Sequence, residues 1–66
     1  MRVLIDWVAK RYEDSDKTAS HYELLHEASD RFSIFEGNLV PVWLSRVIAG
    51  VMRDIDEGIY VYGRSY

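Results

Sequence analysis

The sequence predicts an all-α fold: a small three-helix bundle with a short extended C-terminal segment, in one domain over residues 1–66. Three observations lead to this prediction. Two segments, residues 20–35 and 40–58, repeat apolar residues with helical spacing. Residues that start and stop helices flank both segments. A third amphipathic segment opens the chain at residues 1–13.

The first segment, residues 1–13, fits a helix better than a strand. A helix would gather most of its apolar side chains on one side and its polar ones in an arc of roughly 80°. Arg11 falls on the apolar side, so its stem is expected along the edge of the core with the guanidinium in water. The alternative is an α+β fold in which residues 2–8 and 59–62 pair as strands.

A polar connection leads into the second segment. Ser20 and Glu23 have the S-x-x-E spacing at which a serine hydroxyl caps a helix N-terminus. The apolar residues that follow fall on one helix face as far as Phe35. A helix is therefore predicted to start at Ser20 and to end at residues 36–38, where a glycine and an asparagine can adopt the left-handed conformation.

The third segment, residues 40–58, is the most apolar, and the rest of the chain is expected to pack around it. Its apolar residues fill an arc of roughly 180°, whereas a surface helix needs only about 100°. The predicted helix should therefore contact at least two other elements. Trp43 lies in the apolar arc and is expected in the core.

The ends of the third helix are marked by proline and glycine. Pro41 suits the first helical position, and Gly58 can take the left-handed conformation that closes a helix. Two features are expected to destabilise the third helix. They are Gly50 in its interior and acidic residues at the negative end of the helix dipole. The last turn is therefore expected to end early, at Arg53 or Asp54.

The composition bears on how stable the protein can be and on where in the cell it is expected. A chain of 66 residues without cysteine has no disulfide to supplement a small core, and the lack of cysteine fits a cytoplasmic protein. The start of the chain does not resemble a signal peptide, and no apolar run reaches the length of a membrane span. The net charge of −3 is concentrated in an acidic middle, which disfavours binding to nucleic acid or to anionic membranes.

No residue pattern indicates catalysis. The sequence has no nucleophile elbow and no phosphate-binding loop, so we expect no enzymatic activity and no cofactor. His26 and Asp30 are four residues apart on the second helix, but a metal site needs three or four ligands from more than one element, so none is predicted. His21 is expected to be a packed, hydrogen-bonded imidazole near the helix N-terminus.

These observations predict a non-enzymatic module that binds another protein, as a small inhibitor, an adaptor or an antitoxin-like regulator would. A partner with a basic surface would complement the acidic middle of the chain. Acidic residues of the second helix and aromatic and basic residues of the tail are the candidate contacts. They are Glu23, Glu27, Asp30, Tyr60, Tyr62, Arg64 and Tyr66. A homodimer through the third helix or residues 59–66 is also expected, because the wide apolar arc and the strand-like tail would both be buried.

The alternative function is that of an acidic helix-turn-helix regulator that binds DNA. Its recognition helix would be the third, with Ser45, Arg46 and Arg53 facing the bases. The acidic residues at the end of that helix and the negative net charge oppose phosphate binding.

Overall fold

The computed structural model describes residues 2–59, and these form three helices. They are α1 (Arg2–Asp14), α2 (His21–Phe32) and α3 (Val42–Asp56). The predicted three-helix bundle is confirmed, and residues 2–8 lie in α1, which excludes the α+β alternative. The predicted extended tail after Ile59 lies outside the described residues.

The core is built from the apolar stripes of all three helices. Helix α1 runs opposite to α2, since Trp7 contacts Phe32 and Arg11 contacts Glu27, and α3 contacts both helices, as its wide arc predicts. Fully burying a leucine, valine or isoleucine side chain stabilises a fold by about 1.5–3 kcal/mol. The side chains at zero exposure, which mark the centre of the core, are Val8, Ala9, Leu24, Ala28, Leu44 and Ile48.

Helix α2 begins as predicted and ends earlier than predicted. The Ser20 hydroxyl accepts a hydrogen bond from the Glu23 N–H at 3.1 Å. The predicted end at residues 36–38 is wrong: Ser33 adopts the left-handed conformation (φ 55°), and the Ile34 N–H bonds to the Ser29 carbonyl at 3.0 Å. This closure directs Ile34 onto the core, so Phe35 leaves the helical arc and lies exposed.

Helix α3 extends further than predicted. Pro41 is the N-cap residue rather than the first helical residue, and the helix continues to Asp56 instead of ending at Arg53 or Asp54. Unfavourable charge at a helix end costs about 0.3–1 kcal/mol, whereas burying Ile55 in the last turn contributes about 1.5–3 kcal/mol. The free energy gained by burying Ile55 therefore exceeds the cost of acidic residues at the helix end, and the helix continues through its last turn.

The C-terminal end of α3 is closed by glycine, as predicted. Gly58 has φ 78°, and the Ile59 N–H donates to the Asp54 carbonyl at 2.8 Å.

Trp43 is not a core residue, contrary to the prediction. The buried stripe of α3 is narrower than its apolar arc and is centred on Leu44 and Ile48. Adjacent residues of a helix are rotated by about 100°, so Trp43 points away from that stripe. Its side chain is 43% exposed.

Candidate protein-binding surfaces

Large exposed apolar side chains are concentrated in the α2–α3 linker and the first turn of α3. Seven such residues occur in the described part of the chain, and four lie within nine consecutive positions. Isolated exposed apolar residues are ordinary, but a concentration of them often marks a binding surface. We call this group the linker patch: Phe35, Leu39, Val42 and Trp43.

The backbone beneath the linker patch is held in place by local hydrogen bonds. Glu36 and Leu39 exchange two of them, at 2.7 and 3.0 Å, across a tight turn in which Gly37 has φ 63°. On the inner side, Val40 packs against the core and Pro41 is buried. The inner side of the linker is thus held against the core. Binding through the outer side chains would therefore require little additional ordering of the chain.

The three predicted acidic contacts of α2 are not equivalent. Glu23 and Asp30 are exposed, whereas Glu27 is half-buried and paired with Arg11. Arg11 Nε lies 2.8 Å from Glu27 Oε1, and Arg11 Nη2 lies 3.1 Å from Oε2. These hydrogen bonds and the carboxylate charge raise the pKa of Arg11. Glu27 therefore joins α1 to α2, and Glu23 and Asp30 carry the exposed acidic charge.

Arg11 remains at the surface, with 37% of its side chain exposed, but it also makes an ion pair that the sequence did not predict. Its guanidinium meets the Glu27 carboxylate in a two-point geometry that suits an arginine. A sequence pattern does not reveal this pair, because the two residues lie sixteen positions apart and meet only when the helices pack.

His21 occupies the packed position that was predicted for it. Its Nε2 lies 3.1 Å from both the carbonyl oxygen and the hydroxyl of Ser45, so it links the first turns of α2 and α3. This contact also engages Ser45, one of the three residues proposed to face DNA. The other two, Arg46 and Arg53, are exposed on a helix that also presents Asp56.

Residues 2–59 contain neither a metal-binding cluster nor a membrane-spanning helix. His26 stacks against Tyr22, with ring centroids 4.2 Å apart. No group of three or more histidine and acidic side chains in this part of the chain could hold a metal ion. None of the three described helices combines the length and apolar character needed to cross a bilayer.

A groove between α1 and α3 is a feature that the sequence analysis missed. We call it the α1–α3 groove; its volume is about 530 Å³. Its apolar lining comes from Ile5, Val47, Gly50 and Val51. Its charged lining consists of Arg2, Asp6, Arg46 and Asp54. The glycine inside an otherwise apolar helix was the one indication of such a surface in the sequence.

The predicted contacts in the tail, Tyr60, Tyr62, Arg64 and Tyr66, lie outside the described residues. The structure therefore leaves the linker patch, the exposed carboxylates of α2 and the α1–α3 groove as the candidate surfaces. In comparisons with protein-family models, curated proteins and solved structures, the chain finds no match.

Proposed function

We propose that this protein is a non-enzymatic cytoplasmic module that binds another protein, in the manner of a small inhibitor, an adaptor or an antitoxin-like regulator. The observation that carries the proposal is the linker patch, which holds four large apolar side chains at the surface on a locally anchored backbone. A patch of this kind gains free energy when a partner covers it, because apolar surface leaves water.

Two residues of the linker patch are the proposed anchors. Leu39 is 73% exposed, so most of its surface is available to a partner. Trp43 projects from the first turn of α3, and tryptophan is among the residues that contribute most to protein interfaces. The hydrogen bonds between Glu36 and Leu39 would limit the entropy lost on binding.

The exposed carboxylates of α2 and of the linker indicate the kind of partner. Glu36 is exposed within the linker turn, and α2 adds the exposed carboxylates of Glu23 and Asp30. We therefore propose a partner with an apolar site flanked by lysine or arginine. The acidic groups would mainly speed association and select the partner, whereas the apolar contacts would supply most of the affinity.

The test is a pull-down from the native cell extract with the intact chain and a Leu39→Ser/Trp43→Ser variant. Truncating two anchors should reduce recovery of a specific partner at least about tenfold, since an interface anchor contributes about 1 kcal/mol or more. The matched control is Val3→Ser/Tyr22→Ser, which removes two apolar side chains, 71% and 68% exposed, elsewhere on the surface. Circular dichroism establishes that both variants are folded.

The proposal fails if partner recovery is the same for the linker variant and the control. Recovery of nucleic acid alone, with no protein, would instead favour the helix-turn-helix alternative. In that case binding should weaken steeply with added salt and should depend on Arg46 and Arg53.

A further inference from the structure

The charges on the outer side of α3 are arranged antisymmetrically about Gly50. Arg46 precedes this glycine by four residues and Asp54 follows it by four, so all three lie along one side of the helix. All three line the α1–α3 groove. One end of this stripe is positive, the other is negative, and the middle has no side chain.

The lining of the groove is also electrically balanced. Arg2 and Arg46 oppose Asp6 and Asp54, whereas the whole chain has a net charge of −3. A two-fold interface places the same patch against itself, so a patch with net charge would repel its copy. The charges that line the α1–α3 groove sum to zero, so the groove can face its own copy without net repulsion. The exposed carboxylates of α2 would repel their copies.

From this arrangement we infer that two copies of the chain associate through the α1–α3 groove, with their α3 helices antiparallel about a two-fold axis at Gly50. Residues equally far from the axis then face each other. Arg46 of each copy meets Asp54 of the other, which forms the same ion pair twice. A parallel arrangement would place Arg46 against Arg46 and is disfavoured by repulsion.

Gly50 permits the two helices to come close. A β-carbon built on this residue would have no atom within 4 Å, so the surface above it is open. Where glycine replaces a larger residue at a helix crossing, the axes can approach toward the lower end of the usual range of about 8–10 Å. The half-buried Val47 and Ile5 beside it would lose their remaining exposure.

The apolar lining and the ion pairs have different roles in this dimer. Removing the valine and isoleucine surface from water drives association. The paired charges select the antiparallel orientation, because the opposite one is penalised. None of the linker patch residues lines the α1–α3 groove, so changes at Arg46 and Asp54 test self-association separately from the proposed function.

The decisive experiment is a charge swap followed by sedimentation equilibrium from micromolar to millimolar concentrations. Arg46→Glu alone places a glutamate against Asp54 of the other copy, and Asp54→Arg alone places two arginines together. Each variant should dissociate at least about tenfold more readily than the unmodified chain. A one-to-one mixture of the two variants should regain association, because the mixed dimer sets the introduced glutamate against the introduced arginine and Asp54 of one copy against Arg46 of the other.

The double variant, Arg46→Glu/Asp54→Arg, is therefore the rescue. It should associate like the unmodified chain, since each copy then presents a glutamate to the arginine of the other. Regained association in this variant would itself exclude misfolding as the cause of dissociation in the single variants.

The control variants are Arg31→Glu and Asp30→Arg, which change the net charge in the same way on the exposed surface of α2. They should self-associate like the unmodified chain. The inference is overturned if the unmodified chain keeps a mass near 7.7 kDa at all concentrations. It is also overturned if the single variants dimerise normally, or if the double variant associates no better than either of them.

Discussion

Single side chains fasten the ends of the helices to each other. Tyr12 is buried near the end of α1, and its hydroxyl donates to Asp56 Oδ1 at 3.0 Å in the last turn of α3. Burial, the hydrogen bond to Asp56 and the charge of its carboxylate all raise the pKa of Tyr12. The folded chain therefore holds this phenol proton more tightly than the unfolded chain does.

The pKa of Tyr12 makes stability depend on pH in the alkaline range. An unfolded tyrosine ionises at about pH 10. Above that pH the unfolded state releases its proton first, so this contribution is fully present below about pH 10 and is lost as the pH rises through the folded pKa. Tyr12→Phe should flatten the alkaline fall in unfolding free energy, measured by urea titration. Tyr22→Phe, at an exposed site, should retain it.

The hydroxyl of Tyr12 also contributes at neutral pH. Its loss in Tyr12→Phe should lower the unfolding free energy by about 0.5–1.5 kcal/mol, the usual net value of a hydrogen bond. An unchanged alkaline profile in this variant would show that Tyr12 is not the group responsible.

Among the elements, α3 combines the strongest apolar stripe with a residue that disfavours helix formation. Gly50 is helical, and a β-carbon added there meets nothing within 4 Å. Its presence is therefore not required by packing within one chain. Association through the α1–α3 groove would account for it.

Gly50→Ala should stabilise the isolated chain by about 0.5–1 kcal/mol, because alanine has less backbone entropy to lose in a helix. Urea unfolding at concentrations where the chain is monomeric measures the effect. Gly58→Ala is the contrasting control: at φ 78° an alanine is strained, so this variant should be destabilised. Destabilisation by Gly50→Ala would mean that the site is less open than the structure shows.

For the whole molecule, one small core supports all three helices. A domain of this size has a stability of roughly 3–5 kcal/mol, and the described residues leave no buried side-chain nitrogen or oxygen atom without a hydrogen-bond partner. Helices of 12 to 15 residues are marginal in water when isolated. Loss of core packing should therefore unfold the three helices together.

Far-ultraviolet circular dichroism should show more than half of the intact chain as helix. Leu44→Ala removes a fully buried side chain at a cost of about 2–5 kcal/mol, close to the entire stability, and should abolish most of the helical signal at room temperature. Leu39→Ala makes the same change at an exposed position and should leave the spectrum intact. A helical spectrum in the Leu44→Ala variant would indicate a larger stability margin than the core implies.

The number, order and approximate positions of the helices follow from the sequence, because apolar spacing and capping are local properties. Ser20 caps α2 through a neighbour three residues away, and Gly58 closes α3 through its own backbone freedom. The packed environment of His21 was also predictable from its place on the apolar side of α2. Each of these inferences depends on residues within one or two helical turns.

Only the packing of the helices decided which surfaces are left for binding. The burial of Ile55 and Ile34 set the ends of α3 and α2, and the rotation of α3 onto Leu44 turned Trp43 toward solvent. The groove and the Arg11–Glu27 pair join residues that are distant along the chain. Periodicity shows which residues share a face of a helix. Which part of that face is buried depends on how all three helices pack together around one core.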